Sequence, residues 1–126
     1  MPPGIVATLP EWYVYWWCLN EDYVEGVDFQ FQSSIFGGRV DKGGLVLDFL
    51  FPRLHLPEGR VVNVDGFVWH RYAIEDRAND VANDVRLIDQ GFDIVHVAEE
   101  DVLKRLDYTM SQAVKGIQLF PKLIGT

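Results

Sequence analysis

The alternation of apolar and polar residues changes period several times along this chain, and each change predicts an element. Thr8-Leu9-Pro10-Glu11 reads as a helix start. Thr8 can cap, Pro10 is tolerated in the first turn, and Glu11 stands at the capping-box position. The helix runs on to about Asn20, and its Trp12, Tyr13, Tyr15, Trp16 and Trp17 are bulky almost all the way round, so packing on one side does not use them all. Over residues 27–33, Val27, Phe29 and Phe31 alternate with Asp28, Gln30 and Gln32, the period of a half-buried strand. Residues 37–44 are glycine-rich and turn-forming. A second, more apolar strand is predicted over 44–51, stopped by Pro52, and a valine-rich third over 60–65, closed by Gly66.

From about His70 to Gln90 the period becomes helical, with Ala78, Val81, Val85 and Ile88 on one stripe and Gly91 as C-cap. A fourth strand is predicted over 92–98. A last helix follows over 99–115, with Leu103, Leu106, Met110 and Val114 aligned, ended by Gly116. The order αβββαβα predicts an α/β (α+β) fold. Three strands form an antiparallel meander, the fourth joins through a helical crossover, and helices flank the mixed four-stranded sheet. The chain of 126 residues is expected to form one domain over 1–126.

Composition adds three constraints. No apolar run reaches the roughly 18 residues of a membrane span. Cys18 is the only cysteine, which excludes an internal disulfide and a cysteine-rich zinc site. With an N-terminus, Met1-Pro2-Pro3-Gly4, unlike a signal peptide, it leads to the expectation of a reducing, cytoplasmic setting. The net charge of −8 opposes tight, independent binding to duplex DNA, unless carboxylates converge on a divalent cation.

Strand alternation locates candidate chemistry. Asp48 lies inside an almost wholly apolar strand, and a buried carboxylate needs either a cation or strong donors such as backbone amides or a basic side chain. In the third strand Val61, Asn63 and Asp65 share a face. If the two strands are neighbours, Asp48, Asn63 and Asp65 gather near the strand ends, an oxygen donor set that suits magnesium or manganese. Asp65 also reads as a turn residue before Gly66. His70 can be a general base or acid, or a histidine at a helix start. Asp76, Asp80 and Asp84 recur at four-residue steps, either as a metal-facing stripe or as a solvated face. Arg39 and Lys42 in the glycine-rich loop could touch a phosphate backbone, although the loop matches no P-loop. His55 and His96 have no identifiable partner in the sequence.

The runs Leu47-Asp48-Phe49, Asn63-Val64-Asp65-Gly66-Phe67-Val68-Trp69-His70 and Arg86-Leu87-Ile88-Asp89-Gln90-Gly91-Phe92-Asp93-Ile94-Val95 carry a resemblance. They resemble the very-short-patch-repair endonuclease branch of the PD-(D/E)XK nuclease superfamily, and the phage and homing endonucleases with a Glu, Asp, His, Asp motif. The resemblance covers roughly residues 8–115. It implies a restriction-endonuclease-like core, with Asp48 as a metal-binding aspartate, His70 as general base and Glu11 as a glutamate that organises the metal or its water. Asp65 stands at a position where many members carry an acid, and Asp76 or Asp80 is the last acid of the motif. The chain departs from the pattern at Asn63-Val64-Asp65, where the usual Glu-x-Lys has no lysine counterpart, and at Phe67, which stands where the repair enzymes carry a zinc-binding cysteine.

The resulting expectation is a magnesium- or manganese-dependent DNA endonuclease or nickase of a bacterium or phage-infected host. Asp48, Asp65 and Asn63 are its metal ligands, and His70, Asp48, Asp65 and Glu11 its catalytic set. The alternative is a catalytically weak or inactive interaction module on the same fold, in a homodimer or a larger, phage-type assembly. There the aromatic first helix, through Trp12, Trp16 or Trp17, and the tail bearing Phe120 and Leu123 would supply the interface.

Overall fold

Thr8 caps the first helix as its sequence demands. Its hydroxyl accepts the Glu11 N–H at 3.4 Å, and the Glu11 carboxylate accepts the Thr8 N–H at 3.3 Å, a reciprocal capping box that starts α1 (Leu9–Asn20). The computed structural model of the protein describes residues 7–35, 45–52, 59–65 and 74–119. Among these follow β1 (Gln30–Ile35), β2 (Leu45–Phe51), β3 (Gly59–Asp65), α2 (Ile74–Asp89), β4 (Phe92–Ala98), α3 (Glu99–Lys104) and α4 (Leu106–Ala113). His55, His70, the 37–44 loop with Arg39 and Lys42, and Phe120 and Leu123 of the tail lie outside the described residues.

The sheet order is β1-β2-β3-β4. The first three strands pair antiparallel, and β4 pairs parallel to β3 after the α2 crossover, so the chain is α+β with a mixed four-stranded sheet flanked by helices. Phe49 lies opposite Val62 and Leu50 opposite Val61; Asn63 lies beside His96. Alternation then divides the faces. Phe49, Phe51, Val62, Val95 and Val97 pack with Trp12, Val14, Tyr15 and Trp17 of α1 and with Val102, Met110 and Ala113 of α3 and α4. Leu50, Val61 and Ile94 pack on the other face under Leu87 of α2. Full burial of each large apolar side chain contributes about 1.5–3 kcal/mol, which makes the aromatic face the larger source of stability.

Four expectations are corrected. β1 begins at Gln30, because Val27 belongs to a turn in which the Val24 N–H donates to the Asp28 carboxylate at 2.8 Å and the Gly26 N–H to Phe29 O at 2.7 Å. The buried side of α2 runs through Asp84 and Leu87, while Val85 and Ile88 are exposed. The last helix breaks at Arg105 (φ −149°, ψ 58°), which buries Val102 and leaves Leu103 exposed. Trp12 and Trp17 are core residues, the latter with its indole N–H donating to Asp107 Oδ1 at 3.1 Å, so of the three tryptophans proposed for an interface only Trp16 is exposed. Among the described residues no helix is long and apolar enough to cross a membrane.

Candidate functional site

Asp48 sits where the sheet's regular pairing is interrupted on both sides. Toward β1, Phe31 pairs with Phe49 and Ser33 with Leu47, while the intervening Gln32 adopts a left-handed backbone (φ +55°) and makes no ladder pair with Asp48. Non-glycine residues rarely hold that conformation within a strand. Toward β3 the ladder runs from Phe51 to Phe49, and side chains then replace it. The Asp48 N–H donates to Asn63 Oδ1 at 3.1 Å, and the Val64 N–H donates to Asp48 Oδ2 at 2.7 Å. Each strand thus satisfies a backbone amide of the other with a carbonyl or carboxylate oxygen, as the complete pairing of partly buried amides requires.

That position is electrostatically expensive. Burial, which penalises the ionised form most, pushes the Asp48 carboxyl up to about 7, and the charges of Glu11 and Asp65 push in the same direction. The Val64 amide and the charge of His96 oppose them. Glu11 and Asp65 therefore both act on Asp48, although the three come from three elements.

A histidine does join Asp65, but it is His96 of β4. Its Nδ1 lies 3.1 Å from Asp65 Oδ1 and 3.0 Å from Oδ2, and its Nε2 lies 2.7 Å from Asp84 Oδ2 on α2. Each ring nitrogen faces a carboxylate oxygen, an acceptor when ionised, so the ring satisfies both partners as an imidazolium. Burial alone pulls its pKa down, but the hydrogen bonds and charges of Asp65 and Asp84 together outweigh burial and push it up to about 10. The His96 backbone N–H, on the open side of the edge strand, donates to Gln118 Oε1 at 2.8 Å.

The expected residues thus divide. Asp48, Asn63 and Asp65 share one end of the β2–β3 pair, with the charge of Glu11 reaching Asp48. Asn63 Oδ1 is engaged by the Asp48 amide, and Asp65 is engaged by His96. His70 lies outside the described residues, and for Asp76 and Asp80 only the helical backbone is described. Sequence reasoning named His96 without a partner and Asp84 as one of a stripe of three acids, and did not join the two. Their signal was present, since His96 is a polar residue within the apolar run Ile94-Val95-His96-Val97, the same feature that singled out Asp48.

Among the described residues no group of three or more His, Cys, Asp or Glu side chains is arranged to hold a metal ion, and no buried side-chain nitrogen or oxygen lacks a partner. The described residues therefore do not by themselves form a site that fits a cation. Carboxylate oxygens are the donor type a hard cation takes, but the Asp48 carboxyl is raised first by its burial and only then by the charges of Glu11 and Asp65. Cys18 is fully buried, with its thiol pushed up to about 12 by that burial, which excludes thiolate chemistry at neutral pH. No protein-family model matches the chain, and no curated protein or solved structure matches it either.

Proposed function

We propose that the chain is a magnesium- or manganese-dependent phosphodiester hydrolase with a restriction-endonuclease-like core, acting on DNA as an endonuclease or nickase in the cytoplasm of a bacterium or phage-infected cell. The observation that carries this reading is the meeting of Asp48 with Asn63 and Asp65 where the β2–β3 ladder opens, under the charge of Glu11. The order of one helix, an antiparallel meander, a crossover helix and a parallel strand supports the finer fold. The resemblance around Asp48 and His70 supports the activity.

In this reading Asp48 is the carboxylate that would meet the cation, with the charges of Glu11 and Asp65 acting on the same position. Such an ion supplies charge for a phosphodiester oxygen and lowers the pKa of a bound water. His70 is the proposed general base. His96 is not, because both of its nitrogens are engaged and it stays protonated at neutral pH. Asn63 keeps the Asp48 backbone in place and adds no charge.

The test is nicking of supercoiled plasmid by the purified chain with magnesium or manganese. The expected outcome is cation-dependent nicking that Asp48→Ala and His70→Ala each reduce at least 100-fold. Equal trace activity in wild type and Asp48→Ala rejects the reading.

A second reading, an inactive interaction module on the same fold, is favoured by one observation. Asp65 is already paired with His96, in a chain whose net charge of −8 repels nucleic acid. A stable oligomer in size-exclusion mass measurements, together with no affinity for manganese, selects it over the first.

A further inference from the structure

A surface helix usually turns charged or polar residues to water. α1 does not. Its exposed positions are Leu9, Trp16, Leu19 and Asn20, and the three apolar side chains are between 40% and 56% exposed. Leu9 and Trp16 stand two turns apart on one line and Leu19 a turn further, so the stripe runs about 15 Å along the helix. Trp16 lies against the buried Trp12, with ring centroids 6.3 Å apart. Val24 and Val27, in the turn directly after the helix, are exposed as well. Residues 9–27 thus hold five of the ten large apolar side chains exposed among the described residues, which concentrates them at this end of the chain. The charge there has one sign. Residues 1–38 contain Glu11, Glu21, Asp22, Glu25 and Asp28 and no lysine, arginine or histidine. α1 has no basic residue in its last turn and Glu21 is its C-cap, so an acid stands where the helix dipole is already negative.

We infer that the outward face of α1, with the acidic turn beyond it, docks a basic amphipathic helix of a partner protein. The inference rests on the second reading, the interaction module, for an interface on α1, and it names the occupant. A straight apolar line with a two-turn step fits the anchors of an apposed helix. Trp16, half-exposed and backed by Trp12, is the residue type that carries most affinity in such contacts. Lysines or arginines beside the partner's apolar stripe meet Glu21, Asp22 and the negative end of α1. Charge selects against a second copy as the occupant, since each copy brings the same five acids from this segment and no cation.

The probe is a synthetic peptide of about 18 residues, with leucines at three- and four-residue steps and lysines between them. It is titrated calorimetrically into the full chain, beside a peptide of the same pattern with glutamates for the lysines. Wild type is expected to bind the lysine peptide and not the glutamate peptide, with an affinity that falls as salt rises. Trp16→Ser is expected to weaken binding about tenfold or more, and Glu21→Lys about threefold or more. Asp89→Lys makes the same charge change at an exposed residue of α2, across the sheet from α1, and is expected to leave the affinity within about twofold. All three positions are exposed, and thermal melts check that each variant is folded. Equal weakening by Glu21→Lys and Asp89→Lys, or none by Trp16→Ser, overturns the inference, because the peptide then follows net charge alone. Size-exclusion mass on the same samples separates the inference from the reading it rests on. A wild-type dimer that Trp16→Ser dissolves overturns the basic partner and leaves an interaction module that seats a second copy. A wild-type monomer that binds neither peptide overturns the docking face and the interaction module together.

Discussion

His96 Nε2 lies 2.7 Å from Asp84 Oδ2, joining the edge strand β4 to the helix that crosses over to it. The contact explains why α2 turns an acid toward the sheet while Val85 and Ile88 face outward. An aspartate beside an imidazolium that is itself shared with Asp65 is a compensated charge; an aspartate beside an apolar residue there is not.

Removing the ring should therefore cost more than one hydrogen bond. His96→Leu strands two buried or partly buried carboxylates and is expected to lower unfolding free energy by about 3–5 kcal/mol in urea titration. The pair His96→Leu with Asp84→Leu should lose less than the sum of the single losses, because it removes an uncompensated charge. Additive losses would show that the two groups do not interact.

Stability should fall as pH rises, first through Asp48 and then through His96. The Asp48 pKa is raised from 3.8 to about 7, so the folded state keeps a proton that the unfolded chain has released, and stability declines across that window. The His96 pKa is raised from 6.5 to about 10, so its contribution is complete below 6.5 and is lost as pH passes through 10. Thermal melts should show both declines. Asp48→Asn should flatten the first, since its amide oxygen can still accept from Val64, and His96→Gln the second. Saturating manganese should raise the melting temperature most where Asp48 is ionised.

Asn63→Ala deprives the Asp48 amide of its acceptor. The expected cost is about 1–3 kcal/mol, with faster hydrogen exchange at the Asp48 amide than at Phe49 or Leu50, whose strand positions are regularly paired. Unchanged exchange at Asp48 would mean that the bond carries no protection.

At the opposite end of β3, Arg60 donates to Asp93 Oδ2 at 2.6 Å and to Val114 O at 2.6 Å, holding the end of α4 to the sheet. Gly116 has φ +86°, and a Cβ there would lie 2.8 Å from Arg60 Nη2. Gly116→Ala should destabilise by about 1–3 kcal/mol, part from the left-handed backbone and part from displacement of the guanidinium. In an Arg60→Met background the second part disappears, so the same substitution should cost less. An equal cost in both backgrounds would assign the whole effect to the backbone.

Local rules were legible wherever one element could satisfy them alone. The capping box of Thr8 and Glu11, Pro52 after β2 and the valine-rich β3 all follow from short-range sterics and hydrogen bonding. Asp48 was legible as an anomaly, because a charge in an apolar strand must find compensation. The stripe on α2 was misread because apolar periodicity ranks Val85 and Ile88 above Asp84, and only a partner on another strand makes burying Asp84 tolerable. The division of the last helix at Arg105 was equally hidden, since its apolar spacing is continuous through the break.

The sequence by itself determined the order of elements, the antiparallel meander and the shared parity of Asp48, Asn63 and Asp65, because these depend on period, chirality and chain connection. Tertiary structure alone decided what compensates each charge. It set the parallel register of β3 and β4, placed His96 beside Asp65, and turned Asp84 inward to meet it. Compensation is a property of distance between residues remote in the chain, and no periodicity encodes it.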